Sequence, residues 1–309
     1  MSDFPHQIFT NILNQFGIDS PSDVEPWPFP DASDELLAGF TVDEQRLYLK
    51  MRCIEQRGER SLFETQFALK ELIKLGLPAA ELWSSPSGET LIPGPDWEED
   101  KKAYYEIQYH VEGDRYLIHA DSAYDAGVFI AGFHRLGDGV DTYLLGKHHW
   151  TDTFIQRRFK WFDPLVEKLN ARTNVLTVDQ KVIVDRMQRH RDIVWRKGLT
   201  WRLIHGNMCA NNLLRNKDEF CLIDFEEIGR SEVDGETIDL LLDLPAFDHT
   251  IAERLLQGYQ AGGGELTHTD LLSIQDIFIL GTVDRLLNDN ARPIDIPAII
   301  LSFDFVLDC

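Results

Sequence analysis

The sequence predicts an α/β (α+β) chain of two lobes, and three observations predict it. Of its 309 residues 43% are hydrophobic, enough for one large core or for two lobes and too balanced for a disordered segment. Residues 1–109 read as short alternating apolar runs around one strongly amphipathic helix, whereas from Ser122 onward apolar residues recur at helical spacing. That helical stretch has a single interruption, over 204–227, where two short apolar runs flank a polar turn and each ends on a polar group.

The elements follow in chain order. Ile8, Phe9, Ile12, Leu13 and Phe16 predict an opening helix that ends near Gly17. From Ser20 to Asp34 the prolines Pro21, Pro26, Pro28 and Pro30 predict an irregular connection. Leu36–Phe40 and Arg46–Met51 read as a hairpin around Asp43 and Glu44. Ser61–Leu75 is an amphipathic helix with Gly76 as its stop before Pro78. Three more strands are expected at Glu81–Ser85, Glu89–Ile92 and Tyr104–Tyr109, with an acidic, proline-bearing turn over Gly94–Lys101. The second part predicts helices over 122–136, 152–169, 177–196, 236–242, 251–261 and 271–288, with no internal repeat.

Composition narrows the function. The formal net charge of -22 disfavours nucleic acid as a partner, because phosphate binding needs clustered lysine and arginine. It weakly favours a cationic substrate, although a surface far from neutrality also serves solubility alone. No run of eighteen apolar residues occurs, and the first thirty residues carry Asp3, His6, Asn11 and Asp19 where a signal peptide would be basic and then apolar. A cytoplasmic protein without a membrane partner is therefore expected. Cys53, Cys209, Cys221 and Cys309 show no paired spacing and read as thiols in a reducing compartment.

The interruption carries the chemistry. Ile204 to Leu214 runs His205-Gly206-Asn207 and then Asn212-Leu213-Leu214, and Phe220 to Glu227 runs through Ile223-Asp224-Phe225-Glu226. A hairpin here can present Asn212 and Asp224 to one point. An amide oxygen beside a carboxylate is the oxygen-rich pair that magnesium prefers, and phosphoryl transfer needs such a pair because its barrier falls through charge neutralisation and alignment.

These two linked motifs resemble the catalytic loop and metal motif of the aminoglycoside phosphotransferase and choline kinase superfamily. Glu64-Thr65-Gln66-Phe67-Ala68-Leu69, together with Gly127 and His134, most resembles the bacterial stress-response Ser/Thr protein kinase group within it. The resemblance covers roughly residues 8–290. It implies a two-lobed protein-kinase-like fold: an N-lobe of antiparallel sheet plus helix over 1–109, a mainly helical C-lobe over 110–309, and ATP between the lobes. It implies an ATP- and magnesium-dependent phosphotransferase whose acceptor is a hydroxyl, of a protein Ser or Thr or of a small amino alcohol or aminoglycoside.

Residue by residue, the resemblance gives Lys50 the role of gripping the α and β phosphates, with Glu64 as its ion-pair partner; a solvated edge-strand lysine is the alternative. It gives the backbone of Gln108 to Val111 the adenine edge, though a plain connecting strand would use the same residues. Asn212 and Asp224 become metal ligands, Asp239 a brace of the catalytic loop, and His134 and His205 ordering residues rather than proton carriers. The phosphate-covering segment Pro30–Gly39 has one glycine and would cradle phosphates loosely. One position departs from the pattern: Asn207 stands where the family has aspartate, and an amide is no base at neutral pH. A regulatory pseudokinase, an enzyme working with a weak base and a chain with its aspartate replaced all fit that departure.

Overall fold

The computed structural model describes residues 6–26, 34–53, 59–94, 102–115, 120–140, 201–217, 219–232 and 249–265. The helices expected over 152–169, 177–196, 236–242 and 271–288, the segment from Pro30 to Ser33, and Asp239 lie outside the described residues. The result is a mixed α/β fold of two compact units, Met1–Arg115 with Val140–Gly146 and Asn212–Ile228, and Tyr116–Gly139 with Lys147–Asn211 and Gly229–Cys309.

The first unit is built on a five-stranded antiparallel sheet. Its strands are β1 (Ser22–Pro26), β2 (Asp34–Val42), β3 (Gln45–Cys53), β4 (Ile92–Pro93) and β5 (Ala103–Tyr109), in the order β1-β2-β3-β5-β4. The β2–β3 hairpin is the predicted one. Val42 pairs with Gln45 across a two-residue turn in which Asp43 and Glu44 both have positive φ, the twist that suits a tight hairpin.

Two expectations on this sheet need correction. The proline-rich connection contains β1, an edge strand whose register slips between Ser22 and Glu25; an edge tolerates Pro26 because, among the described residues, one side of the strand carries no partner. Of the strands expected at Glu81–Ser85 and Glu89–Ile92, the first reduces to a bridge between Leu82 and Gln108, and the second to the two-residue β4. Between them the backbone closes a turn instead: the Gly88 N–H donates to the Ser85 carbonyl at 2.9 Å, and the Glu89 N–H to the Ser85 hydroxyl at 3.1 Å.

Period-two alternation divides the β3–β5 pair into two unlike faces. Leu47, Leu49, Met51, Tyr105 and Ile107 are buried with Phe9, Ile12 and Leu13 of α1 (His6–Gln15), and Phe16 just after it, in one apolar cluster. The opposite face carries Lys50, Arg52, Glu106 and Gln108, with Lys50 paired to Glu106 and Tyr48 to Gln108 in the strand register. Helix α2 (Glu59–Lys74) supplies Leu62 to a small cluster with Leu91 and Tyr104, and Gln66 to the polar face. Both α1 and α2 end as their glycines predict. Gly17 and Gly76 take positive φ, and the next residues, Ile18 and Leu77, each donate back to the carbonyl five positions earlier at 2.9 Å.

A second sheet belongs to the same unit. Strands β6 (Asp114–Arg115), β8 (Leu213–Asn216) and β9 (Glu219–Leu222) lie in the order β6-β8-β9. Leu222 bridges to Ala79 and donates its N–H to the Pro78 carbonyl at 3.1 Å, so the segment after α2 ties this hairpin to the rest of the unit.

The second unit packs α3 (Ala120–Gly137) on α4 (His249–Ala261) and contains the antiparallel pair β7 (Trp201–Ile204) with β10 (Gly229–Glu232). Gly127, Gly258 and Gly262 form the helix contact: a Cβ at Gly127 would overlap the Leu255 carbonyl, and one at Gly258 the Tyr124 carbonyl. His134 is fully buried and hydrogen-bonds through Nδ1 to the Tyr259 hydroxyl at 2.9 Å, the core role expected of it. Among the described residues no helix is long and apolar enough to cross a membrane.

Candidate active site

The β8–β9 hairpin brings the two linked motifs together. Leu213 faces Leu222 in its register, and the Ile223 N–H donates to the Asn212 carbonyl at 3.0 Å, so Asp224 follows directly on a residue bonded to Asn212. The Asn212 side chain is buried at the end of a 3₁₀ turn, Ala210–Asn212. Asp224 opens a second such turn, Phe225–Glu227, in a left-handed conformation with φ 66° and ψ 55°, and its carboxylate does not cap that turn. A non-glycine residue holds this conformation where the surroundings over-determine it, a condition that clusters at active sites.

Lys50 supplies one determinant. Its Nζ lies 3.1 Å from Asp224 Oδ1, across 174 positions of sequence, and both side chains are half-buried. Lys50 thus has an ionised partner on the polar face of β3, which disposes of the solvated-lysine alternative. Glu64, the expected partner, stands half-buried in the second turn of α2.

Sequence reasoning missed the group beside it. Arg52 is almost fully buried and reaches two carboxylates, with Nε and Nη2 on Glu106 Oε1 at 3.1 and 2.6 Å and Nη1 on Glu226. Glu106 also accepts from Gln66 and, at 2.8 Å, from Gln108, while Gln66 accepts from the Thr90 hydroxyl at 2.6 Å. The signal for this network was present in the spacing: a second cation two residues after Lys50 and a second carboxylate two residues after Asp224.

At the expected hinge, the Gln108 side chain is drawn into that network rather than outward. The His110 N–H donates to the Arg46 carbonyl at 2.8 Å and its ring meets the Tyr48 hydroxyl at 3.1 Å, so both of these groups are engaged within the chain. Behind these residues a cleft of about 500 Å³ is lined by Pro78, Glu81, Tyr109, Glu112, Phe220 and Cys221 among others. Burial raises the Tyr109 hydroxyl above its ordinary pKa, helped by Glu81, and burial pushes the Cys221 thiol up to about 12.

Asn207 belongs to the second unit. It is exposed, next to Gly206 with φ 85°, and its N–H donates to Nδ1 of the fully buried His205 at 3.4 Å. The contact matches the loop-ordering role expected of His205. The Asn212 amide and the Asp224 carboxylate, with the Lys50 ammonium beside the latter, are oxygen donors of the kind magnesium takes.

The Lys50–Asp224 pair thus joins two motifs distant in sequence on a mixed α/β scaffold. A sequence model of the phosphotransferase enzyme family matches residues 74–270, and the chain belongs to that family: it is a kinase-type phosphotransferase. No protein with a curated description matches the sequence. Solved structures share the fold at low identity. The amicoumacin kinase hAmiN, in complex with AMP-PNP, calcium and Ami, is 14% identical with a TM-score of 0.66 over 98% of this chain and 94% of its own. The microcompartment-associated aminopropanol kinase is 13% identical, TM-score 0.64, over 97% and 94%. Spectinomycin phosphotransferase, with ADP and spectinomycin, is 10% identical, TM-score 0.59, over 99% and 94%.

Proposed function

We propose that the chain transfers the γ-phosphoryl group of ATP to a hydroxyl of a small, amine-bearing acceptor. The observation that supports this reading is the Lys50–Asp224 ion pair, with Asn212 tied through its backbone carbonyl to Ile223, the residue before Asp224. Lys50 holds the α and β phosphates. Asn212 and Asp224 hold magnesium, which supplies charge neutralisation on the transferring group. The hinge carbonyls near His110 take the base edge, and Glu64 steadies Lys50 from α2.

The acceptor follows from charge and from company. A chain of net charge -22 attracts cations, and the three fold neighbours named above are kinases of amicoumacin, aminopropanol and spectinomycin. A protein Ser or Thr hydroxyl, favoured by the likeness of Glu64–Leu69 to stress-response kinases, is the competing acceptor.

Position 207 is the base site. With asparagine there, positioning and electrostatics remain and proton removal is lost, a deficit on the order of a hundred- to ten-thousand-fold in rate. The test compares magnesium-dependent ATP turnover by the chain and by Asn207→Asp against a panel of amino alcohols, aminoglycosides and basic proteins. A rise of that size on one class of acceptor supports the reading and names the class. If both forms bind ATP and neither transfers phosphate, the chain is a regulatory pseudokinase.

A further inference from the structure

The β3 strand and the turn at Phe225 are joined by two parallel ion pairs. Lys50 and Arg52 stand two residues apart on one face of β3; Asp224 and Glu226 stand two apart across the turn; each cation takes one of these two carboxylates. The pairs differ in kind. Lys50–Asp224 is a single contact of a point charge, 17% and 26% exposed, whereas the Arg52 side chain is 7% exposed and its other carboxylate, Glu106, 5%.

We propose, resting on the phosphotransferase reading above, that Arg52 is the positioning residue of the metal carboxylate. By holding Glu226, it keeps Asp224 in place while Lys50 moves from Asp224 to the nucleotide's phosphates. An arriving polyphosphate competes for the Lys50 ammonium, so a turn held through Lys50 alone would loosen when its carboxylate is required. Arg52 does not face that competition. Two nitrogens of its planar guanidinium, Nε and Nη2, are spent on Glu106, which Gln66 of α2 and Gln108 of β5 also grip, so the third, Nη1, is presented to Glu226 from a fixed base. The left-handed backbone of Asp224 needs such a constraint, and Glu226 is two residues from it.

The test uses the full chain and its Arg52→Lys and Glu226→Gln variants. Arg52→Lys keeps the charge but has no fork to span Glu106 and Glu226 together. Thr90→Val, which loosens the same network at its far end, reports on a purely structural role. Mn(II) affinity is measured by electron paramagnetic resonance with a non-hydrolysable ATP analogue present, analogue affinity without metal by calorimetry, and Tm in parallel. The expected result is a Mn(II) Kd raised about 10–100-fold in Arg52→Lys and Glu226→Gln, with metal-free analogue binding unchanged and Thr90→Val altering only Tm. Mn(II) affinity equal to that of the unsubstituted chain in both variants overturns the inference. So does a loss of metal and analogue binding together that follows Tm across all three variants. An unsubstituted chain that binds neither Mn(II) nor analogue overturns the phosphotransferase reading, and this inference with it.

Discussion

The junction of β3 with the Asp224 turn and the contact of α3 with α4 solve one problem, holding two segments in fixed register, by opposite means. The first is a chain of charges. Arg52, Glu106 and Glu226 are drawn out of water and stay there because each donor meets an oxygen. The second is a close approach of backbones, in which Gly127, Gly258 and Gly262 remove the side chains that would keep the helices apart, with one buried hydrogen bond, His134 to Tyr259, added. The difference teaches where each can fail: a charge network by losing one partner, a glycine contact by gaining one methyl.

Breaking the ionic junction should give the largest effect. Arg52→Met leaves the carboxylates of Glu106 and Glu226 without their guanidinium, and a loss of about 3–5 kcal/mol in urea unfolding is expected, since an uncompensated buried charge is the costly product. The glycine contact should yield less. Gly258→Ala drives a methyl into the Tyr124 carbonyl and is expected to cost about 1–3 kcal/mol. Its counterpart sharpens the point: a Cβ at Gly132, on the same α3, meets nothing within 4 Å, so Gly132→Ala should stabilise by about 1 kcal/mol through helix propensity. If both substitutions destabilise equally, close approach is not what the glycines provide.

The last effect is absent at neutral pH and shows only in alkali. Burial raises Cys221 from 9.0 to about 12 in the folded chain, so the unfolded chain loses that proton first. The contribution to stability is complete below pH 9 and is lost as pH rises towards 12. Cys221→Ala should therefore flatten the alkaline decline of Tm, and the thiol should alkylate slowly at neutral pH.

Legibility in the sequence followed from locality. The helices at α1 and α2, the β2–β3 hairpin and the paired motifs around Asn212 and Asp224 declare themselves within a dozen residues, through period, stop glycines or turn spacing. Strand β1 does not, because Pro21 and Pro26 argue against it and only its position at a sheet edge makes it tolerable. Arg52, whose only signal was its spacing from Lys50, was passed over for a different reason. A charge in a strand reads as a surface residue until its partners are known, and those partners lie 54 and 174 positions away. The role of Glu106 was hidden likewise, since its register opposite Lys50 exists only once β3 and β5 pair.

The 174 positions between Arg52 and Glu226 also set an order of assembly. The ribosome releases the five strands of the first sheet, and Arg52 with them, long before residues 212–228 that complete their unit. Until those residues arrive the guanidinium has Glu106 but not Glu226, and closing so long a loop costs entropy that grows only slowly with its length. The polar face of the first unit therefore stays incomplete until a hairpin made after about half of the second unit has been synthesised. The Asp224 turn can be seated only late in the synthesis of the first unit, and the proposed nucleotide site is finished with it.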